Sequence, residues 1–583
     1  MDMKKIKKLT AAVLSTILFV LSVTGCSAEA RTEGERKYPE EITIDVFDYQ
    51  ANYTGEQMGW FAKAVKDRFN MKLNIISGEK IKNSETLFQT RMANGSMGDL
   101  ILIGSSSGGV DNMVKAGLVL DITDYISGCE NLSKYRYAIE EASALTGVEG
   151  LWAVPSEISN RPIRESSEVS EPGNAPCIRF DLYEQIGFPE IQTLEDLLPV
   201  LQQMQELVGA SDSGRQVYAF SLFKDWDAGT MQNATAFMAL YGWDTQGVAE
   251  YYVGDGDESG SIGRLIDDSS FYVRALKFLY TANQMGLIDP ESVGQDFSAM
   301  YEKVSNGAVL YGFWPWLAIG GYNTSERMAQ GKGFASVAIQ DMKCCSVGNH
   351  PAGSTGNMIM IGSKAQDPQR MIDFIDWLFS PEGIMYESTI MGTFTFCGPE
   401  GLTWEYDANG TAVLTDFGIR AFIEKEENLE VPEEWGGGTW LEGGSQLNFP
   451  PVGASDIDDE TGLCYNYQKW PDYIEMTSTR LSKNWQEWSG YDTTLEYYKA
   501  NDWLAVKPGT NYTAPAYSAN IKAIKEQIDR VIVDYSWRMV FCDSDEEFDR
   551  LLCEMQAICL GFGYEAVFRV DKQNIEDKLT SYE

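Results

Sequence analysis

The sequence predicts an α/β protein of two lobes. Two observations carry the prediction: strand and helix patterns alternate from residue 42 onward, and a second run of such patterns begins near Pro155. Length agrees, since 583 residues suit two to four domains and bury a large core without disulfide staples. Residues 42–47 (ITIDVF) alternate apolar and polar side chains, as a half-buried strand does. Residues 57–69 place Trp60, Phe61, Ala64, Val65, Arg68 and Phe69 near one helical face. Residues 71–76 form a second strand, 86–92 a second helix, and 99–104 (DLILIG) a continuous apolar strand, with a return to helix at 114–119. This β-α-β-α-β order is the signature of a parallel sheet with right-handed crossovers. Open parallel sheets take ligands outside the carboxyl ends of their strands. Those ends are Asp48-Tyr49-Gln50 and the loop from Gly104 to Gly109, which holds Ser105, Ser106 and Ser107.

Boundary chemistry marks the second run. Residues 269–286 read as a helix capped at Asp268 or Ser269, with Val273, Leu276, Leu279 and Tyr280 apolar and Gly286 as its stop. Asp367 caps a helix with Pro368 in its first turn. Residues 521–535 and 548–560 are long amphipathic helices. A strand at 307–312 runs directly into Phe313-Trp314-Pro315-Trp316. Pro315 stiffens the turn between the two indoles. An indole just past a strand end points into the ligand crevice, and its flat face fits the C–H face of a pyranose. Between 395 and 515 turns dominate, among them Trp435-Gly436-Gly437-Gly438-Thr439-Trp440.

Composition narrows the chemistry. A formal charge of −40 excludes a phosphate backbone as partner, because nucleic-acid binding needs clustered Lys and Arg. A single histidine, His350, excludes H-E-x-x-H metal sites, and no G-x-S-x-G elbow accompanies Ser354 beside it. With 86 acidic residues some carboxylate pair is always at hand, so pairs do not point to a glycosidase. The loop from Gly104 to Gly109 lacks both G-K-S/T and G-x-G-x-x-G. Asp255-Gly256-Asp257 opens like a calcium loop but has Ile266 where a bidentate Glu belongs, so it reads as a turn between strands at 251–253 and 262–265. Asp456-Ile457-Asp458-Asp459-Glu460 reads as a solvated acidic turn. No cofactor and no metal are expected. The cysteines beyond Cys26 contain no C-x-x-C pair and are expected as buried free thiols, Cys559 on an apolar helical face. With 15 Trp and 29 Tyr in an acidic chain, the composition suits stacking on neutral ligands such as sugars.

The amino terminus reads as an export address. Lys4, Lys5, Lys7 and Lys8 precede an apolar run at 9–23, too short for a confident membrane span. Val23-Thr24-Gly25-Cys26 then matches the bacterial lipobox, which predicts cleavage before Cys26 and a lipid on its sulfur. Residues 26–40 form a polar, flexible tether.

Four further stretches resemble the extracellular solute-binding proteins of ABC importers, in the cluster that takes oligosaccharides. They are residues 41–47 with FAKAVKDRF (61–69), MGDLILI (97–103) with GLVLDITD (117–124), ALKFL (275–279) through MGLIDP (285–290), and DFIDWLFSPEG (373–383). Their order and spacing carry the resemblance over residues 41–571, and the long carboxyl region is similar to large lipoproteins of Gram-positive bacteria. The resemblance implies a type II periplasmic-binding-protein-like fold, each lobe a mostly parallel sheet flanked by helices with the ligand between the lobes. It implies a signal at 1–25, a tether at 26–40, lobe 1 from 41–155 and 342–394, and lobe 2 from 156–341 and 395–583. The chain would cross near 155–158, 342–351 and 394–399.

The implied function is a monomeric, non-enzymatic receptor on the outer face of the cell membrane. It captures an oligosaccharide or another small neutral solute and hands it to the transmembrane subunits of a permease, touching the membrane through its lipid alone. The alternatives are a surface glycan-binding adhesin and a glycoside-active enzyme. Phe313-Trp314-Pro315-Trp316 resembles the sugar-stacking Trp-x-Trp turn of maltose-binding-type members. The implied ligand contacts are therefore Trp314 and Trp316, with Asp48, Tyr49, Ser105 and Ser106 opposite and Trp440 in its Gly-rich loop. Residues 159–176 depart from the family pattern as a polar insertion at the first crossover.

Overall fold

Residues 42–103 build the first sheet by the alternation their sequence shows. The computed structural model describes residues 37–51, 53–77, 84–105, 109–256, 258–387 and 396–582. The export address, Cys26, most of the tether and Ser106 fall outside the described residues. The strands are Ile42–Asp48 (β1), Gly55–Glu56 (β2), Met71–Ser77 (β3), Leu100–Ile103 (β4) and Val154–Ser156 (β5). β1 pairs parallel with both β3 and β4. The helix Gly59–Phe69 covers this sheet with Trp60, Phe61, Ala64, Val65 and Phe69. The sheet order is β2, β3, β1, β4, the strand Ser354–Ile361, then β5.

The strand Ser354–Ile361 runs antiparallel to both of its neighbours. The sheet is therefore mixed rather than mostly parallel. The cause is topological: this strand returns from the second lobe and enters the sheet from the edge at which the others leave it.

The second core forms around Cys177–Arg179 (β6), which is antiparallel to Tyr311–Gly312 and to Phe334–Ser336. Residues 218–220 extend the sheet through parallel bridges to Val309 and Ile288. Here too the sheet is mixed. The helices Leu197–Val208, Phe271–Gln284, Ala519–Val540 and Asp545–Phe562 bury their apolar faces in this core. Tyr272 locks three of its segments, its Oη accepting from Met231 N at 2.8 Å and lying 2.8 Å from Ser536 Oγ. Ser270, rather than Asp268 or Ser269, caps Phe271–Gln284, its Oγ accepting from Val273 N at 3.1 Å. Asp367 caps Pro368–Leu378 by accepting from Arg370 N.

The carboxyl region departs from expectation. Residues 396–473 were expected in lobe 2, yet Phe396, Trp404, Trp440, Phe449 and Trp470 belong to the first core. The expected crossing near 394–399 does not leave that lobe at its described end, since Phe396 and Cys397 are first-core residues. The chain crosses instead between Trp470, in the first core, and Leu481, in the second. Loop-rich sequence carries no period, so only packing shows which sheet it covers.

Trp440 is one of the residues that fasten this region. It is 2% exposed and stacks on Trp60 at 4.7 Å and 12°. Their segments touch closely: a Cβ on Gly59 would lie 2.2 Å from Gly443 Cα. The nine described cysteines are all unpaired, Cys344 and Cys345 included. The segment around Asp255 connects two antiparallel strands, Ala249–Tyr252 and Ile262–Arg264. Trp440→Ala is expected to lower stability by about 3–5 kcal/mol, the range for a buried aromatic truncated to alanine. Urea denaturation measures it, and a loss below about 1 kcal/mol would contradict the core placement.

Candidate ligand cleft

The first sheet gathers polar groups at one edge. β1, β4 and β5 run in the same direction, so Asp48-Tyr49-Gln50, Ser105 and Glu157 lie past their carboxyl ends. The antiparallel strand Ser354–Ile361 begins at this edge, with a register irregularity between Ser354 and Met358. Such bulges re-aim side chains beside functional sites. Gln50 Nε2 donates to Gly356 O at 2.8 Å, and Ser105 Oγ donates to Thr355 Oγ1 at 3.1 Å. Asn511 clamps the same turn, its Oδ1 accepting from Thr355 N at 3.2 Å and its Nδ2 donating to Gly353 O at 2.8 Å. A Cβ on Gly104 would lie 2.2 Å from Gly356 O, so the glycine that opens the serine-rich loop serves close backbone approach.

Each predicted residue at this edge has a distinct placement. Asp48 is fully buried, and its Oδ1 accepts from Gln50 N at 3.0 Å, ending β1 in an Asx-type turn. Tyr49 is half-buried, edge-on to Phe88 at 6.3 Å. Ser105 is exposed. Two residues here escaped sequence reasoning. Glu157 holds left-handed backbone at φ 53°, rare for a residue with a side chain, and burial pushes its carboxyl up. Asn357 donates through Nδ2 to Asn448 O at 2.8 Å while its buried Oδ1 has no hydrogen-bond partner among the described residues. Neither strand-end position carries a sequence signature.

The strand-end edge of the second sheet is aromatic. Gly312 and Ser336 both lie opposite Cys177, so the strands flanking β6 end on the side where β6 enters from the first lobe. Trp314 follows one of those ends in extended conformation, with Pro315 at the first position of the helix Pro315–Tyr322. Trp314 is only 9% exposed and packs against Phe223, Trp226 and Phe313. Trp316 is 56% exposed. It stacks on Trp226 at 6.1 Å and 23°, Trp226 on Phe297 at 4.7 Å and 20°, and Phe297 on Tyr301 at 5.7 Å and 21°.

These four rings form one tier, with Trp314 as its buried base. Asp225 Oδ2 pins Phe297 by accepting from its N at 2.7 Å. Trp226, 37% exposed, was missed in the sequence. Its signal was there, an indole between acids in Lys224-Asp225-Trp226-Asp227 just after a buried stretch. Trp440 is corrected from ligand contact to core: its rings meet Trp60, Phe417 and Phe422.

No family model matches the chain, and no curated protein matches it. Solved structures do. An extracellular solute-binding protein from Bifidobacterium longum subsp. infantis matches with TM-score 0.52 at 13% identity, over 93% of this chain and 98% of that one. The S. pneumoniae ABC-transporter substrate binding protein FusA, as an EF-hand mutant in complex with fructo-nystose, matches with TM-score 0.51 at 14% identity, over 92% and 99%. The fold is that of an extracellular solute-binding protein.

A buried polar cluster ties two crossing segments, through Ser159 and Asn349, to the first-lobe segment that carries Asp456. Ser159 Oγ lies 2.6 Å from Asp456 Oδ1 and 3.2 Å from Asn349 Oδ1. One hydroxyl proton cannot serve two acceptors. Burial pushes the Asp456 carboxyl up to about 6, only partly offset by Ser159. The folded value therefore lies above the unfolded one, near 4. The folded chain holds this proton more tightly, so the group's contribution is fully present below about pH 4 and lost as pH rises through about 6. Asp456→Asn keeps an acceptor for Ser159 and removes the titration. Urea denaturation between pH ~4 and ~7 should show wild type losing stability relative to the variant as pH rises. Parallel curves would contradict the assignment.

Proposed function

We propose that the chain is a solute receptor of an ABC importer, that it binds an oligosaccharide between its lobes, and that a lipid on Cys26 holds it at the outer face of the membrane. The carrying observation is the tier of stacked rings from Trp316 to Tyr301, at strand ends of the second sheet as the polar edge is at strand ends of the first. Exposed indole faces bury the apolar faces of sugars, while Tyr49, Gln50, Ser105 and Glu157 supply donors and acceptors for hydroxyls. One structural neighbour is an ABC-transporter substrate binding protein in complex with fructo-nystose, which supports both the ligand class and the permease as partner. The Val23-Thr24-Gly25-Cys26 motif supports the anchor. Binding rather than catalysis is the reading, and both neighbours described above are binding proteins.

Calorimetry against a panel of oligosaccharides, fructo-oligosaccharides included, tests the ligand class. For the sugar that binds, Trp316→Ala should weaken affinity by about 2 kcal/mol, near thirtyfold, with the melting temperature within a few degrees of wild type. Trp314→Ala should instead lower the melting temperature, because it removes the base of the tier. Unchanged affinity in Trp316→Ala removes the tier as the sugar platform.

The anchor has its own test. Cys26→Ser should release the protein from membranes, since acyl chains supply about 0.8 kcal/mol per buried CH₂. A serine variant that still fractionates with membranes after a high-salt wash would show that Cys26 is not the anchor.

A further inference from the structure

The polar insertion at 159–176 is absorbed neither by the sheets nor by the aromatic tier. It folds across the junction of the lobes. Ser167 N donates to Val347 O at 2.8 Å on a crossing segment, and Leu495 N donates to Ser170 O at 3.0 Å from the second-lobe side. Beneath it lies a cavity of about 650 Å³. Its walls include Ser455 and Lys469 from first-lobe segments, Lys499 from a second-lobe helix, and Arg161 and Arg164 from the insertion itself. The volume lies within the range of small-molecule sites.

The walls carry four cations, Arg161, Arg164, Lys469 and Lys499, and four carboxylates, Glu165, Asp255, Glu496 and Asp502, but among the described residues only Glu165 pairs with any of those cations. Arg161 and Lys499 share the single carboxylate of Glu165, Lys499 at 3.1 Å. Among the described residues neither Lys469 nor Arg164 has a carboxylate within ion-pair distance, and Lys469 Nζ reaches only the Glu168 carbonyl, at 3.5 Å. Asp502, also on the wall, is bonded to Lys343 at 2.5 Å, and Glu496 and Asp255 are exposed. Burial lowers the Lys469 pKa, and the like charge of Arg161 adds to it, while Cys464, Glu165 and Glu496 oppose the shift without reversing it. Two donors are orphaned as well. Among the described residues Ser455, 4% exposed, has no partner for its Oγ, and the buried Arg161 Nε has no acceptor. A half-buried cation and unpaired donors around one space call for an acceptor-rich anion.

We propose that this junction cavity is a second ligand site, for a small oxyanion of the carboxylate, phosphate or sulfate class, seated on Lys469 from one lobe and Lys499 from the other. An occupant there touches both lobes and the insertion at once, so it is placed to bias the angle between them. The inference does not depend on the oligosaccharide reading, because its probe and its residues are separate from the tier.

The test is calorimetric titration of sodium phosphate, sodium sulfate and sodium citrate, each separately, into the full chain at constant ionic strength. At least one should bind saturably at one site per chain. Lys469→Gln and Lys499→Gln should each weaken that binding by about tenfold or more, as loss of one partner of a desolvated charge contact does. Thermal melting without the anion controls for folding: Lys469→Gln should melt no lower than wild type, since it removes a buried charge that has no carboxylate. Trp316→Ala should bind the anion as wild type does. No saturable binding of any of the three anions overturns the site. Wild-type affinity in Lys469→Gln overturns it equally, and wild-type affinity in Lys499→Gln alone overturns the seat on two lobes.

Discussion

The strand Ser354–Ile361 is the constraint on which the rest of the molecule depends. It comes back from the second lobe and fills the gap between β4 and β5. Without it the edge strand β5 would have no partner in the first sheet, and an unpaired row of backbone donors and acceptors would remain. Because it returns, it must run antiparallel, and its first residues therefore lie among the carboxyl ends of the strands that went before. One topological fact thus creates a mixed sheet, sets two crossing segments side by side, and delivers Thr355, Gly356 and Asn357 to the polar strand-end edge. The clamp from Asn511 and the close approach of Gly104 to Gly356 follow from the same placement.

The aromatic tier has a corresponding foundation. Lys303, nearly buried, bonds Asp289 at 2.6 Å, Glu291 at 2.6 Å and Gln295 at 2.8 Å. Gln295 Nε2 donates in turn to Ser221 Oγ and to Leu222 O, each at 2.7 Å. This network joins the segment that carries Trp226 to the segment that carries Phe297. A buried charge cluster of this kind contributes little net stability and is unforgiving of a missing partner. Its effect is geometric: it holds two rings from distant parts of the chain in stacking register. Trp314 completes the support from below, which is why an indole placed so suggestively in sequence lies mostly inside.

Local pattern made parts of both lobes legible. The opening β-α-β-α-β alternation, the caps at Asp367 and near Ser270, and the strand running into Phe313-Trp314-Pro315-Trp316 all rest on periodicities and capping rules that act within a few residues. That Trp316, Tyr49 and Ser105 sit just past strand ends was readable for the same reason: a strand end is a local event. Trp226 had a local signal that was passed over. Glu157 and Asn357 had none, since their roles come from a backbone turn and a bulge imposed by other strands.

What the sequence by itself determined is which segments become strands and helices, where several of them start and stop, and that aromatic surface and excess negative charge dominate the chemistry. Those properties are set by side-chain period, capping and composition, all of which act within a few residues or sum over the whole chain. Only the tertiary structure decided which lobe the segment 396–473 covers, that Trp440 faces Trp60 rather than open space, and that rings from residues 226, 297, 301 and 316 stack into one tier. The physical reason is that each of these is a contact between segments far apart in the chain, and its energy comes from burial and shape at the meeting surface, which no local pattern encodes.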